Sequence, residues 1–135
     1  MADRVCVEAM PHAESTFVVD TWDGSTYESA PGAELGRARL SKTFQGDLEA
    51  TSTAELLSAT TSAGPAAYVA LERITGRLHG RAGSFVLHHS AGAAGNSWTV
   101  VLGSGTDELT GLSGSGQIER HADGSHSFLL DYELA

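Results

Sequence analysis

Leu71-Glu72-Arg73-Ile74-Thr75-Gly76-Arg77-Leu78-His79-Gly80-Arg81-Ala82-Gly83-Ser84-Phe85-Val86-Leu87-His88-His89 reads as two strands joined by a tight turn. Before the turn, Glu72, Ile74 and Leu78 share parity with Tyr68 and Ala70, and residues two apart on a strand face the same way. After it, Phe85, Leu87 and His89 repeat the pattern. His79-Gly80 supplies a short loop with a glycine able to take positive φ, as a two-residue hairpin needs. The segment is a β-hairpin.

Working outward, a period of two recurs wherever the chain is apolar. Phe17, Val19 and Thr21 mark a first run, Leu40, Lys42 and Phe44 a second, and Leu48 to Ala59 a third. Trp98, Val100 and Leu102 form a sixth, Gln117 to His121 a short seventh, and Phe128, Leu130, Tyr132 and Leu134 an eighth. Turn chemistry separates them at Gln45-Gly46-Asp47, Ser62-Ala63-Gly64-Pro65, Ala91 to Asn96 and Asp123-Gly124. Gly24 to Gly36 reads as a loop around Pro31-Gly32, and Gly103 to Gly116 as a long link with one helical turn near Leu109 and Leu112. Eight sequential strands predict an all-β, eight-stranded antiparallel up-and-down barrel, which removes exposed edges. A two-sheet sandwich shares the same cues. Residues 1–13 read as a flexible N-terminal segment and 14–135 as a single domain.

Composition narrows the function classes. A content of 41% hydrophobic and 19% charged residues suits a folded chain. Seventeen Asp and Glu against eight Lys and Arg give a formal net charge of -9. Without a basic stripe, nucleic acid and anionic membrane surfaces are not expected partners. Cys6 is the sole cysteine, which excludes an internal disulfide and a thiolate cluster. The first 13 residues lack a signal peptide's basic region and apolar core, and no apolar run approaches the length of a membrane helix. The expected location is cytoplasmic.

The hairpin stretch Leu71 to His89 is followed by Trp98-Thr99-Val100-Val101-Leu102-Gly103-Ser104-Gly105-Thr106 and Leu109-Thr110-Gly111-Leu112-Ser113-Gly114-Ser115-Gly116. With Lys42-Thr43-Phe44 and Gly46-Asp47-Leu48-Glu49, these resemble a bacterial domain family of unknown function related to the allene oxide cyclase barrel. The resemblance covers roughly residues 14 to 134. The Gly103-Ser104-Gly105-Thr106 loop is also similar to one in plant allene oxide cyclases and dirigent proteins. Those relatives imply an allene oxide cyclase-like barrel, symmetric oligomers and an apolar cavity. Plant members guide the cyclisation or coupling of small hydrophobic molecules. The plant cyclase's catalytic residues have no matching positions here, so its substrate does not carry over.

Parity nominates a site. If Phe44, Tyr68, Phe85 and Phe128 face inward, Lys42, Glu72 and His89 face inward with them. Charged groups inside an apolar barrel are costly unless paired. Such a set can bind a carbonyl or carboxylate or act as general acid and base; it also fits a structural ion pair bridging the barrel. Tyr68, Phe85, Trp98 and Tyr132 would supply apolar contact, with Trp22 and Trp98 filling the core or lining a cavity. No catalytic residue is assigned.

Other chemistry finds little support. His88 and His89 point to opposite faces and cannot grip one ion. His121 and His126 would sit opposite each other across a two-residue turn, but two ligands make weak metal evidence. Gly111-Leu112-Ser113-Gly114-Ser115 lacks the last glycine of a nucleophile elbow, and Gly103-Ser104-Gly105 lacks the lysine of a phosphate loop. No cofactor or metal is expected.

Outward-facing Val69, Leu71, Val86 and Val101, with no helix to cover them, predict a homo-oligomer. The reading is therefore a small-molecule-binding barrel, with a cyclase or isomerase acting on a hydrophobic ligand as its catalytic form. The alternative is a non-catalytic barrel serving as an assembly or binding module.

Overall fold

The computed structural model describes residues 11–135. Eight strands follow in order: β1 (His12–Ala30), β2 (Ala33–Gly46), β3 (Leu48–Thr61), β4 (Gly64–Leu78), β5 (Arg81–Gly92), β6 (Gly95–Val100), β7 (Leu112–Arg120) and β8 (His126–Leu134). Each pairs antiparallel with the next, and β8 returns to β1. The sheet is thus one closed ring rather than a two-layer sandwich. His79 (φ 47°) and Gly80 (φ 81°) form the β4–β5 turn, whose two positive φ values match the twist of the flanking strands. No helix among the described residues is long and apolar enough to cross a membrane.

The ring is uneven. β1 pairs with β8 only from His12 to Phe17, and β6 touches β7 at two residue pairs, Trp98–Gly116 and Thr99–Ser115. Beyond Phe17, β1 has β2 alone as a neighbour, so residues 18–30 form the open edge of a projecting arm. The β1–β5 side therefore rises above the short β7–β8 hairpin and leaves one end as an open-sided mouth.

Two connections differ from expectation. Gly24 to Gly36 is not a loop: β1 and β2 continue to a turn at Pro31-Gly32. The arm is exposed on both faces over residues 18–30, so no face had to be apolar and no alternation marked the strands. β7 starts at Leu112, not Gln117. Its inward positions after Leu112 are Gly114 and Gly116, opposite Tyr132 and Leu130. A Cβ on Gly116 would lie 2.7 Å from the Phe128 ring, so large neighbours replaced the apolar signal on β7 itself.

The domain boundary also shifts. His12 and Ala13 already belong to β1, and His12 Nδ1 lies 2.6 Å from Asp131 Oδ1. Pro11 is described as well, its carbonyl accepting from the Tyr132 N–H at 3.0 Å, while residues 1–10, with Cys6, lie outside the described region.

The end opposite the mouth is filled. Phe44, Leu48, Leu78, Phe85, Leu112 and Phe128 belong to one buried cluster there. Leu109, from the predicted helical turn (a single 3-10 turn, Asp107–Leu109), is 1% exposed and joins them. The Gly103–Thr106 loop takes the place of β6 along lower β5. Ser104 Oγ accepts from the Val86 N–H at 3.0 Å, and Thr106 Oγ1 accepts from the Ser84 N–H at 3.0 Å. A Cβ on Gly105 would sit 2.0 Å from the Leu109 carbonyl oxygen. That glycine is required for packing.

Candidate functional site

Inward positions of four neighbouring strands carry the polar residues of the interior. Lys42 on β2 pairs across with Ser52 on β3, Glu72 lies on β4 and His89 on β5. Alternation, not local motif, places them together: each sits among apolar inward residues of its own strand. Glu72 is fully buried, and Ser52, Lys42 and His89 nearly so.

The carboxylate of Glu72 is the hub. Its Oε1 lies 3.3 Å from Lys42 Nζ and 2.7 Å from His89 Nε2, while Ser52 Oγ donates to Oε2 at 2.5 Å. Lys42 Nζ also lies 4.5 Å from the centroid of the Phe17 ring, a cation–π contact. Burial pushes the Glu72 carboxyl upward, but the His89 hydrogen bond, the Lys42 charge and the Ser52 hydroxyl outweigh it and hold it below the ordinary value. These partners hold Glu72 in its ionised form. His89 Nε2 is held by Glu72, and among the described residues no hydrogen bond is made by its Nδ1.

Tyr68 and Trp98 border the cluster on the mouth side. Tyr68 is half-buried, with its ring 6.5 Å from that of His89. Burial raises its phenol pKa, opposed by the nearby Trp98 indole N–H. Yet Trp98 Nε1 is buried without a well-formed hydrogen bond; the Tyr68 hydroxyl is near enough to act electrostatically, but the contact falls short of hydrogen-bond geometry. Trp98 is also the cross-strand partner of His89.

Above the cluster the wall changes from large residues to small ones. Gly36, Ala38, Leu56 and Ser58, with Trp22, line a groove of about 340 Å³ on the inner face of the arm. A second groove, about 450 Å³, opens where β1 leaves β8 and is lined by Phe17, Val19, Thr43 and His126. Phe17 thus lines this groove and also underlies Lys42.

Sequence reasoning brought Lys42, Glu72 and His89 together correctly, with Tyr68 and Trp98 beside them. Two nominated residues stand elsewhere. Phe85 is fully buried in the packed end, opposite Ile74. Tyr132 faces inward, but its hydroxyl bonds His79 Nδ1 at 2.5 Å, and His79 Nε2 lies 3.5 Å from Asp47. It belongs to the closed end, because parity fixes a residue's face and not its height along the ring. Trp22 is 60% exposed on the arm and does not fill the core. Ser52 was missed: an inward serine in a Thr/Ser-rich strand gives no sequence signal.

The His121–His126 arrangement is corrected too. The connection is longer than two residues, with His121 N–H donating to Ser125 O and Arg120 pairing with His126. His121 Nε2 meets Ser127 Oγ at 2.6 Å, whereas His126 stacks on Phe17. Among the described residues no group of three or more His, Cys, Asp or Glu side chains is placed to hold a metal ion.

The sequence profile of DUF3224, described as a protein of unknown function, matches residues 13–132. The chain belongs to the DUF3224 family. A DUF3224 protein of unknown function from Shewanella oneidensis MR-1, solved by crystallography, is similar at 38% identity with a TM-score of 0.84. The match covers 93% of this chain and 98% of that one, so the eight-stranded ring is shared along nearly its whole length. No curated protein matches. Membership in DUF3224 thus brings a fold without a named activity.

Proposed function

We propose that this DUF3224 protein binds a small hydrophobic molecule in its mouth, with the Lys42–Glu72–His89 cluster reading the molecule's polar end. One observation carries the reading: an ionised, triply bonded carboxylate is buried on the inward face of the sheet, the face that higher along β2 and β3 lines a groove with Gly36, Ala38, Leu56 and Ser58. A buried ion pair is weak evidence for stability, since well-packed apolar residues of similar volume often stabilise as well or better. Retaining three charged or polar groups on that face is consistent with a ligand's needs. Both Glu72 oxygens are occupied, so what the site offers is His89 Nδ1, the Trp98 indole N–H and the remaining Lys42 protons. The Trp98 and Lys42 protons suit an oxygen acceptor, a carbonyl or carboxylate on an apolar body, while His89, whose Nε2–H is given to Glu72, presents Nδ1 as an acceptor.

The resemblance to allene oxide cyclase-like barrels extends the reading to a cyclase or isomerase. His89 favours it: with Nε2 fixed on Glu72, Nδ1 is the one ring atom free to exchange a proton with a ligand. The test uses Trp22→Phe, which leaves Trp98 as the sole indole. Titration with apolar acids and ketones should change Trp98 emission saturably, and the response should be lost in His89→Phe. Emission that stays flat across the whole panel would overturn the reading.

A further inference from the structure

Two exposed surfaces, the outer face of β3 and β4 and the β1 arm, differ in net charge and both carry apolar residues. The first is a groove of about 680 Å³ on the outer face of β3 and β4. Leu57 and Val69 are direct cross-strand partners there, and Leu71 follows on the same face. They are 47%, 48% and 56% exposed. Arg37 lines the groove, Arg39 is the cross-strand neighbour of Glu55 on its flank, and Arg73 is the next outward residue after Leu71. Glu55 lines the groove too and pairs with Arg37 at 3.4 Å and Arg39 at 3.3 Å, so with Arg73 three arginines face one carboxylate and the groove is net positive in a chain of formal charge -9.

The second surface is the β1 arm. Val18 and Tyr27 are 59% and 56% exposed. The arm carries Asp20, Asp23 and Glu28, and β1 contains no Lys or Arg, although Asp23 lies directly across from Arg39 of β2. We propose that the acidic arm of one copy docks in the arginine-flanked groove of another, so that chains associate head to tail. Burial of Leu57, Val69, Leu71, Val18 and Tyr27 drives the contact, and opposite charge sets its orientation and speed. Arm-to-arm pairing of two copies would instead set like charges against each other across the strands. Because arm and groove are different surfaces, each copy offers one of each, and the contact is heterologous.

The experiment is sedimentation velocity across the micromolar range. Wild type should sediment above the 14.0 kDa monomer. Leu71→Asp spoils the groove and Val18→Ser/Tyr27→Ser the arm, so each variant alone should be monomeric. Mixed in equal amounts they should form a dimer, because the first keeps a working arm and the second a working groove. Circular dichroism identical to wild type confirms that each variant is folded; Val69→Ser replaces Leu71→Asp if that variant is not. A monomeric wild type, a variant that still self-associates, or a mixture that stays monomeric would each overturn the proposal.

Discussion

Glu72 is the residue on which stability and function meet. Removing its carboxylate leaves Lys42 charged and nearly buried against the Phe17 and Phe44 rings. Glu72→Ala should therefore destabilise the chain by roughly 3–5 kcal/mol in denaturant titrations. Lys42→Met/Glu72→Gln removes both charges but keeps partners for His89 Nε2 and Ser52 Oγ, and should melt close to wild type. Acid tests the same group. Its folded pKa lies below the ordinary glutamate value of 4.5, so its contribution is complete above that pH and disappears as pH falls through the lower folded value. The loss should be visible in wild-type stability below about pH 4.5 and absent from Lys42→Met/Glu72→Gln at this step. Parity along β2, β4 and β5 made this trio legible in the sequence, because alternation fixes which residues share a face. Depth was not legible: Tyr132 and Phe85 have the right face but lie toward the packed end.

At the scale of elements, the strands that read clearly are those with one face on the core. β4 and β5 alternate because inward Ile74, Leu78, Phe85 and Leu87 are buried while outward Arg73, Arg77 and His88 are exposed. The arm of β1 and β2 has no such contrast, and its apolar Trp22 and Tyr27 face solvent. Its open edge is instead guarded by acidic residues and by two register shifts, which leave Asp20 and Tyr27 unpaired. β7 shows the converse case, in which glycines make room for the large side chains of β8. Gly116→Val would drive a side chain into the Phe128 ring, and thermal melts should show a loss of about 1–3 kcal/mol or more. A substitution without effect would mean that β8 does not pack over β7 as described.

For the whole molecule, ring closure was legible as eight sequential strands with hairpin turns, while the uneven wall was not. That unevenness comes from the unequal strand lengths, a property no local pattern encodes. It produces a packed end, stapled by Leu109 and the Gly103–Thr106 loop, and an open-sided end, with the charged cluster buried between. In the function proposed above, the charged cluster is kept for a ligand and not for stability. The most direct measurement is a pair of thermal melts with and without the apolar acids and ketones, on wild type and on Lys42→Met/Glu72→Gln. A ligand at about a hundred times its Kd stabilises the folded state by roughly 2.7 kcal/mol. The account predicts that wild type gains a clear rise in Tm while the equally stable double variant gains little or none. Equal rises in both proteins, or no rise in wild type with any compound, would contradict it.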